Sequence, residues 1–301
     1  VAYHPLTDRR PYNQIIRCAT DLQYNSDPAL EDLTMLYRPL FWTSFWCESS
    51  GDVHEASPYI CYRCEDWLHA SNYRDGAKRV LISSASAKTA FTLAYCIRRR
   101  REKGELSADT RIVGLTSPRN LEFTRQLGLY DEVLTYDDVE TLPAASDLKT
   151  IYADVAGVDA LNNRIFKHFA PTNSLIAGIT LGMSTIDPAD AKTIGKAQRE
   201  ANTFSPATAH AGVRVGADME VFFMVEWLAR RRTELSVLQI VAMQKDAWDA
   251  LLREGRTWVR IERVYGGPAV KRAYERLNKG GVGPDTGFIW SMWDAQEKAK
   301  L

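Results

Sequence analysis

Arg79-Val80-Leu81-Ile82-Ser83-Ser84-Ala85-Ser86-Ala87-Lys88-Thr89-Ala90 decides the fold. The first five residues are a short apolar run, β-branched at Val80 and Ile82, of the length of a buried strand. A string of small and hydroxyl residues follows. The chain then enters a helical pattern through Phe91, Leu93, Ala94, Tyr95 and Ile97 that ends in Arg98–Arg101 and Gly104. Positive charge in the last turn and a glycine just beyond it suit a helix C-terminus. The arginine run therefore reads as a solvated helix end rather than a nucleic-acid patch.

Outward from this unit the alternation repeats. Arg111–Leu115 reads as a second strand, Asn120–Leu127 as a helix closed by Gly128, and Glu132–Leu134 as a third strand. Ile151–Val155 is a fourth strand, followed by a helix over Asp159–Phe169 and a fifth strand over Leu175–Gly178. Strands alternating with helices over this length predict an α/β fold, a Rossmann-type doubly wound parallel sheet from about Lys78 to Met183. Such sheets bind ligands at the C-terminal edge of their strands. Further on, Trp248–Leu252 and Ala269–Leu277 read as amphipathic helices and Gly287–Met292 as a last strand. Before the sheet, Asp27-Pro28 marks a helix start, with a helical pattern over Glu31–Tyr37.

The turn Ser83–Ala90 has the position of a phosphate-binding turn, where the backbone meets a pyrophosphate at a helix N-terminus. The usual glycine fingerprint is absent. Ser84, Ala87 and Ala90 stand where glycines are expected; all are small, and the geometry survives if no positive φ is required. Ser86 and Thr89 offer hydroxyls and Lys88 a charge. A plain strand-to-helix turn with a serine cap gives the same pattern. After the second strand, Leu115-Thr116-Ser117-Pro118-Arg119-Asn120 carries no acid to hold ribose hydroxyls, whereas Ser117 and Arg119 suit a 2′-phosphate. A dinucleotide bound here is expected to be NADP(H) rather than NAD. The other reading is a surface turn.

Composition sets bounds. The 301 residues are 45% hydrophobic and 25% charged, ordinary globular values, and 38 basic residues balance 38 acidic ones. No broad field points to nucleic acid or an anionic membrane. The apolar stretch Val221–Trp227 is too short to span a bilayer. A cytoplasmic protein with a small-molecule substrate is the default expectation, with homo-oligomerisation left open. Five cysteines are no disulfide framework. Cys61 and Cys64 form a C-x-x-C pair without the second ligand pair of a zinc site, so no metal is expected.

The segments Val80–Ala90, Val113–Asn120, Leu127–Asp138 and Tyr152–Gly157 resemble the nucleotide-binding half of the medium-chain dehydrogenase/reductase superfamily. Tyr12-Asn13-Gln14 with Arg17, Arg38–Ser44, Ser83–Ala90, Gly114–Asn120, Tyr130-Asp131 through Asp138, and Phe222–Trp227 resemble motifs of a fungal and bacterial family of unknown function within it, related to zinc-free quinone and enoyl reductases. The resemblance implies a Rossmann fold and an NADP(H) site spanning Ser84, Ser86, Ala87, Lys88, Thr89, Ser117, Arg119 and Ala156. It also implies that most of a preceding substrate domain is missing, through fragmentation or loss. Residues 1–70 would then be a remnant cover, with Glu48–Cys64 as an insert, 71–183 the nucleotide domain, and 184–301 a linker and a segment returning to the cover. The cover region is accordingly incomplete.

In zinc-free reductases hydride passes between nicotinamide and a substrate carbon beside a proton donor. The resemblance makes Tyr12 a candidate donor, Asn13 a carbonyl holder and Thr43 a neighbour of the nicotinamide. Tyr12 reads equally as an aromatic at a domain interface. Two functions follow: an NADP(H)-dependent reductase of an enone, quinone or related carbonyl, as found in secondary metabolism, or a non-redox lyase, cyclase, isomerase or nucleotide-sensing protein on the same scaffold.

Overall fold

The structure, a computed structural model, describes residues 18, 21–46, 77–181, 219–222, 224, 228, 232 and 235–293. Tyr12, Asn13, the Cys61/Cys64 pair, the insert 48–64 and the linker 184–218 lie outside them.

Six parallel strands form the main sheet: β1 (Arg79–Ile82), β2 (Arg111–Thr116), β3 (Glu132–Thr135), β4 (Thr150–Asp154), β5 (Leu175–Thr180) and β6 (Met219–Val221). Their order is β3-β2-β1-β4-β5-β6. The chain winds outward from β1 through β2 and β3, then returns to place β4 on the other side of β1. The reversal point, between β1 and β4, is where such a sheet opens a crevice. The expected Rossmann-type sheet is therefore present, with β6 added to the five strands expected from the sequence.

Burial explains the sheet. Val80, Leu81 and Ile82 are all fully buried, and each contributes about 1.5–3 kcal/mol by leaving water. Alternate residues serve opposite faces. Val80, Ile82, Ile112, Ile151 and Ala153 join one core with Tyr37, Phe41, Phe91 and Trp258. Leu81, Val113, Leu115 and Tyr152 join the other with Ile165, Phe166 and Phe169. The second core belongs to α4 (Asp159–Phe169). The first is covered by α1 (Pro28–Trp46), α2 (Lys88–Glu102) and, packed against α1, α5 (Val237–Glu254). A short α3 (Leu121–Gln126) connects β2 to β3.

Helix α1 runs past the Glu31–Tyr37 pattern and straight through Pro39. Proline there removes one backbone bond, and the burial of Tyr37, Phe41, Phe45 and Trp46 outweighs that loss. Two long-range bonds pin the helix: Tyr37 Oη donates to the Gly255 carbonyl (3.2 Å), and Trp46 Nε1 donates to Gln244 Oε1 (2.9 Å).

The C-terminal part holds a second, two-stranded parallel sheet of β7 (Arg260–Tyr265) and β8 (Thr286–Ser291), joined through α6 (Gly267–Asn278). Gly287 of β8 sits against α1: a Cβ added there would meet Leu36 Cδ2 at 2.5 Å. The Arg263 guanidinium pairs with the Asp32 carboxylate of α1. Among the described residues no helix is long and apolar enough to cross a membrane.

Candidate functional site

The β1–α2 turn lies at the C-terminal edge of the sheet, beside the reversal point. The Ala85 amide donates to the Leu115 carbonyl of β2 (2.9 Å), and the Ala87 amide to the Ser84 carbonyl (2.7 Å). Ser84 takes φ 52°. The turn thus does require a left-handed residue at the first position where a glycine is expected, and a serine supplies it against a steric cost of about 1–2 kcal/mol. Burial and hydrogen bonding hold it there. Tyr136, just beyond β3, lies beside Ser84; burial pushes its phenol up, and Ser84 pulls it part of the way back.

Close packing brings β2 onto the turn. A Cβ on Gly114 would lie 2.8 Å from Ala85 Cβ and 3.0 Å from Tyr130 Cδ1. With no side chain at Gly114, the Tyr130 ring slides in and its hydroxyl donates to the Ala85 carbonyl at 2.8 Å. Burial drives the Tyr130 phenol far above its usual range.

Below the turn lies a buried polar network. Ser83 Oγ donates to Asp154 Oδ1 (3.0 Å) and accepts from the Val155 (2.9 Å) and Ala156 (3.0 Å) amides. The same Asp154 oxygen accepts from the Gly157 amide (2.9 Å), and Oδ2 from Asn162 Nδ2 (2.8 Å). The Tyr152 hydroxyl donates to Asn162 Oδ1 (2.7 Å). Ser83, Tyr152 and Asp154 are fully buried. Every polar atom at this depth needs a partner, and the network supplies them while fixing the ends of β1 and β4 side by side.

Of the residues expected at the site, the structure brings together Ser84, Ser86, Ala87, Lys88, Thr89 and Ala156. Ala87 is the extended residue before α2 and gives no side-chain cap. The first-turn amides of Lys88, Thr89 and Ala90 take no backbone carbonyl among the described residues. Ser86 Oγ accepts from Asn120 Nδ2 (3.0 Å), which ties the first turn to the one after β2. Ser117 opens that second turn without bonding as a cap. Arg119 is exposed, and its guanidinium lies near Gly280 of the α6–β8 loop. The Lys88 side chain is half-buried, and its amine donates to the carbonyls of Pro284 (3.1 Å) and Thr286 (3.0 Å). Thr43 bonds to its own helix through Pro39 (3.0 Å); its neighbour Ser44 is the residue that reaches α2, at the Thr89 carbonyl (3.0 Å) and the Thr92 hydroxyl (2.8 Å).

Ser83 is the first residue of the phosphate turn in the sequence reading but has no individual role there, and Asn120, Tyr130, Tyr136, Asp154 and Asn162 are not expected at the site. Tyr130, Tyr136 and Asp154 fall within stretches that carry the resemblance, but nothing local reveals that the two tyrosines turn back to Ala85 and Ser84. The fully buried Thr116 hydroxyl, at the end of β2, has no hydrogen-bond partner among the described residues. Nor do the described residues hold any group of three or more His, Cys, Asp or Glu placed to share a metal ion.

The donors at this edge fit an anion: free helix-start amides, hydroxyls, and no acidic residue in the first turn of α2. Residues 1–283 match the model of the family described as Protein of unknown function (DUF2855). The chain belongs to this family. No protein of curated function matches it. Solved structures similar to this DUF2855 member include CurA from Vibrio vulnificus in complex with NADPH, at 11% identity and a TM-score of 0.48, covering 89% of this chain and 66% of that one. The yhdH oxidoreductase from Salmonella enterica in complex with NADP matches at 9% identity and TM-score 0.37, covering 70% and 53%. The CurK enoyl reductase matches at 11% and 0.43, covering 75% and 59%. The DUF2855 chain thus spans two thirds or less of the length of each.

Proposed function

We propose that this DUF2855 protein binds NADP(H) along the C-terminal edge of its main sheet and reduces an enone, quinone or related carbonyl. The pyrophosphate lies at the turn Ser84–Thr89, and the 2′-phosphate at Ser117 and Arg119. The observation that carries this reading is the pairing of two features at one edge. The α2 start has free amides, and the turn after β2 offers an arginine and a serine with no acid. Helix-start amides recognise phosphate, and an arginine without a competing carboxylate recognises a second one.

The fit is close at Gly114 and Ala85, where the missing side chain of Gly114 lets the Ala85 methyl lie against β2. Bound NADPH would supply the hydride. The chain's own residues bind and orient it: the first-turn amides hold phosphate oxygens, Ser83 and Asp154 keep β1 and β4 in register beneath it, and Ala156 bounds the crevice beyond the turn. Tyr12, Asn13 and Thr43 remain proposed donors and positioners for the substrate, on the strength of the resemblance alone.

Titration of NADPH fluorescence with the purified protein is the test. Saturable binding of NADPH, at least tenfold tighter than NADH, is expected; no binding of either would overturn the reading. Consumption of NADPH with a panel of enones and quinones tests the reaction separately.

A further inference from the structure

Lys88 opens α2, the positive end of that helix's dipole, and its side chain is half-buried. Both circumstances disfavour an ammonium. The structure nevertheless gives this amine two carbonyls from the far end of the sequence. Just before β8, the Asp285 carbonyl accepts from the backbone amide of Arg260 in β7 (2.7 Å). The carbonyls of Pro284 and Thr286, one residue to either side, face away from β7, and these are the two that Lys88 takes. The lysine therefore closes the start of an outer sheet edge that no strand covers among the described residues. A few residues back, Gly280 (φ 68°) lies beside the Arg119 guanidinium. Lys88 thus bonds to the α6–β8 segment, and the exposed Arg119 lies beside it.

We propose that Lys88 is a positioning residue, a clasp that couples an anion in the Ser84–Thr89 turn to the seating of the β7–α6–β8 unit, with the loop 280–286 as the second wall of the nucleotide site. The inference rests on the nucleotide reading above. Burial pulls the Lys88 amine below its usual range, with Asp285 partly offsetting that pull. A phosphate at the start of α2 adds the missing negative charge within a turn of the ammonium. It strengthens both charge-assisted bonds to β8. Coupling of this kind is reciprocal: a seated unit, holding the amine beside the turn, raises the affinity for the anion.

Hydrogen exchange by mass spectrometry on the full chain, with and without NADPH, tests the proposal. In the wild type, NADPH is expected to slow exchange over residues 280–291 severalfold. Lys88→Met should speed exchange there about tenfold without ligand, leave α4 unchanged, abolish the NADPH-dependent protection and weaken NADPH binding at least tenfold. Lys88→Arg should restore part of each effect. A merely structural lysine would leave residues 280–291 indifferent to NADPH, and that result, with NADPH bound, overturns the coupling. Unchanged exchange over β8 in Lys88→Met overturns the clasp. If the wild type binds no NADPH, the nucleotide reading and the coupling fall together, while the Lys88→Met exchange still decides whether the contact holds the unit.

Discussion

Ser83 Oγ accepts the amide of Ala156 at 3.0 Å, so one hydroxyl at the end of β1 holds the backbone that leaves β4. The same oxygen accepts from Val155 and donates to Asp154. Replacing Ser83 with alanine removes the buried acceptor of two amides, at roughly 1–3 kcal/mol each. Ser83→Ala is expected to lose about 2–4 kcal/mol in urea unfolding. A loss under about 0.5 kcal/mol would show that the network does not brace the sheet edge.

Arg119→Ala should weaken NADPH by about 1.5–3 kcal/mol, the range for hydrogen bonds to a charged group, and NADH hardly at all. Fluorescence titrations of both cofactors measure it. Equal losses for the two would remove the 2′-phosphate from Arg119.

Gly114→Ala places a methyl 2.8 Å from Ala85 Cβ and 3.0 Å from the Tyr130 ring. Neither neighbour is the free end of a flexible chain. The strain should cost about 1–3 kcal/mol, and because it pushes the turn off β2 it should also weaken NADPH. A thermal midpoint equal to that of the wild type would contradict the packing.

Two carboxylates predict the acid limb of stability. The hydrogen bonds from Arg38 hold the Asp21 carboxyl below the usual carboxylate range. At Asp131 burial acts upward, but the bonds from Arg101 and the Ile112 amide outweigh it and the net shift is also downward. A depressed folded value contributes stability that is present above the unfolded value and lost as pH falls through the folded one. The melting temperature should therefore hold near neutrality and drop below about pH 4. Asp131→Asn should cost about 1 kcal/mol at pH 7 and flatten the acid slope. An unchanged slope would exclude Asp131 as a contributor.

The centre of the main sheet was legible because β1, β2 and β4 carry nearly continuous buried runs, and a run such as Val80-Leu81-Ile82 leaves little else for the chain to do. β7 was not. Arg260-Ile261-Glu262-Arg263-Val264-Tyr265 mixes charge into a strand that is nowhere fully buried, since its sheet has only two members. Helix α1 was read short because Pro39 is a stop signal locally and is overridden only by packing against residues some two hundred positions away. At the site, the turn's small residues announced a phosphate position. The left-handed Ser84 did not show, because serine carries no mark of positive φ; nor did the closure of Lys88 on β8, because hydrogen bonds to carbonyls leave no trace in side-chain identity.

The bond from Tyr37 to Gly255 spans 218 residues. Helix α1 is made some two hundred residues before the segment that completes its core and must wait for it. At about 5–20 residues per second that wait is roughly 10–40 s. During it Tyr37, Phe41 and Trp46 lack their later partners Gly255, Trp248 and Gln244. Loops closed over such separations also slow folding. The native contact that makes α1 the keystone of the finished molecule thus makes the nascent chain a natural client for a chaperone.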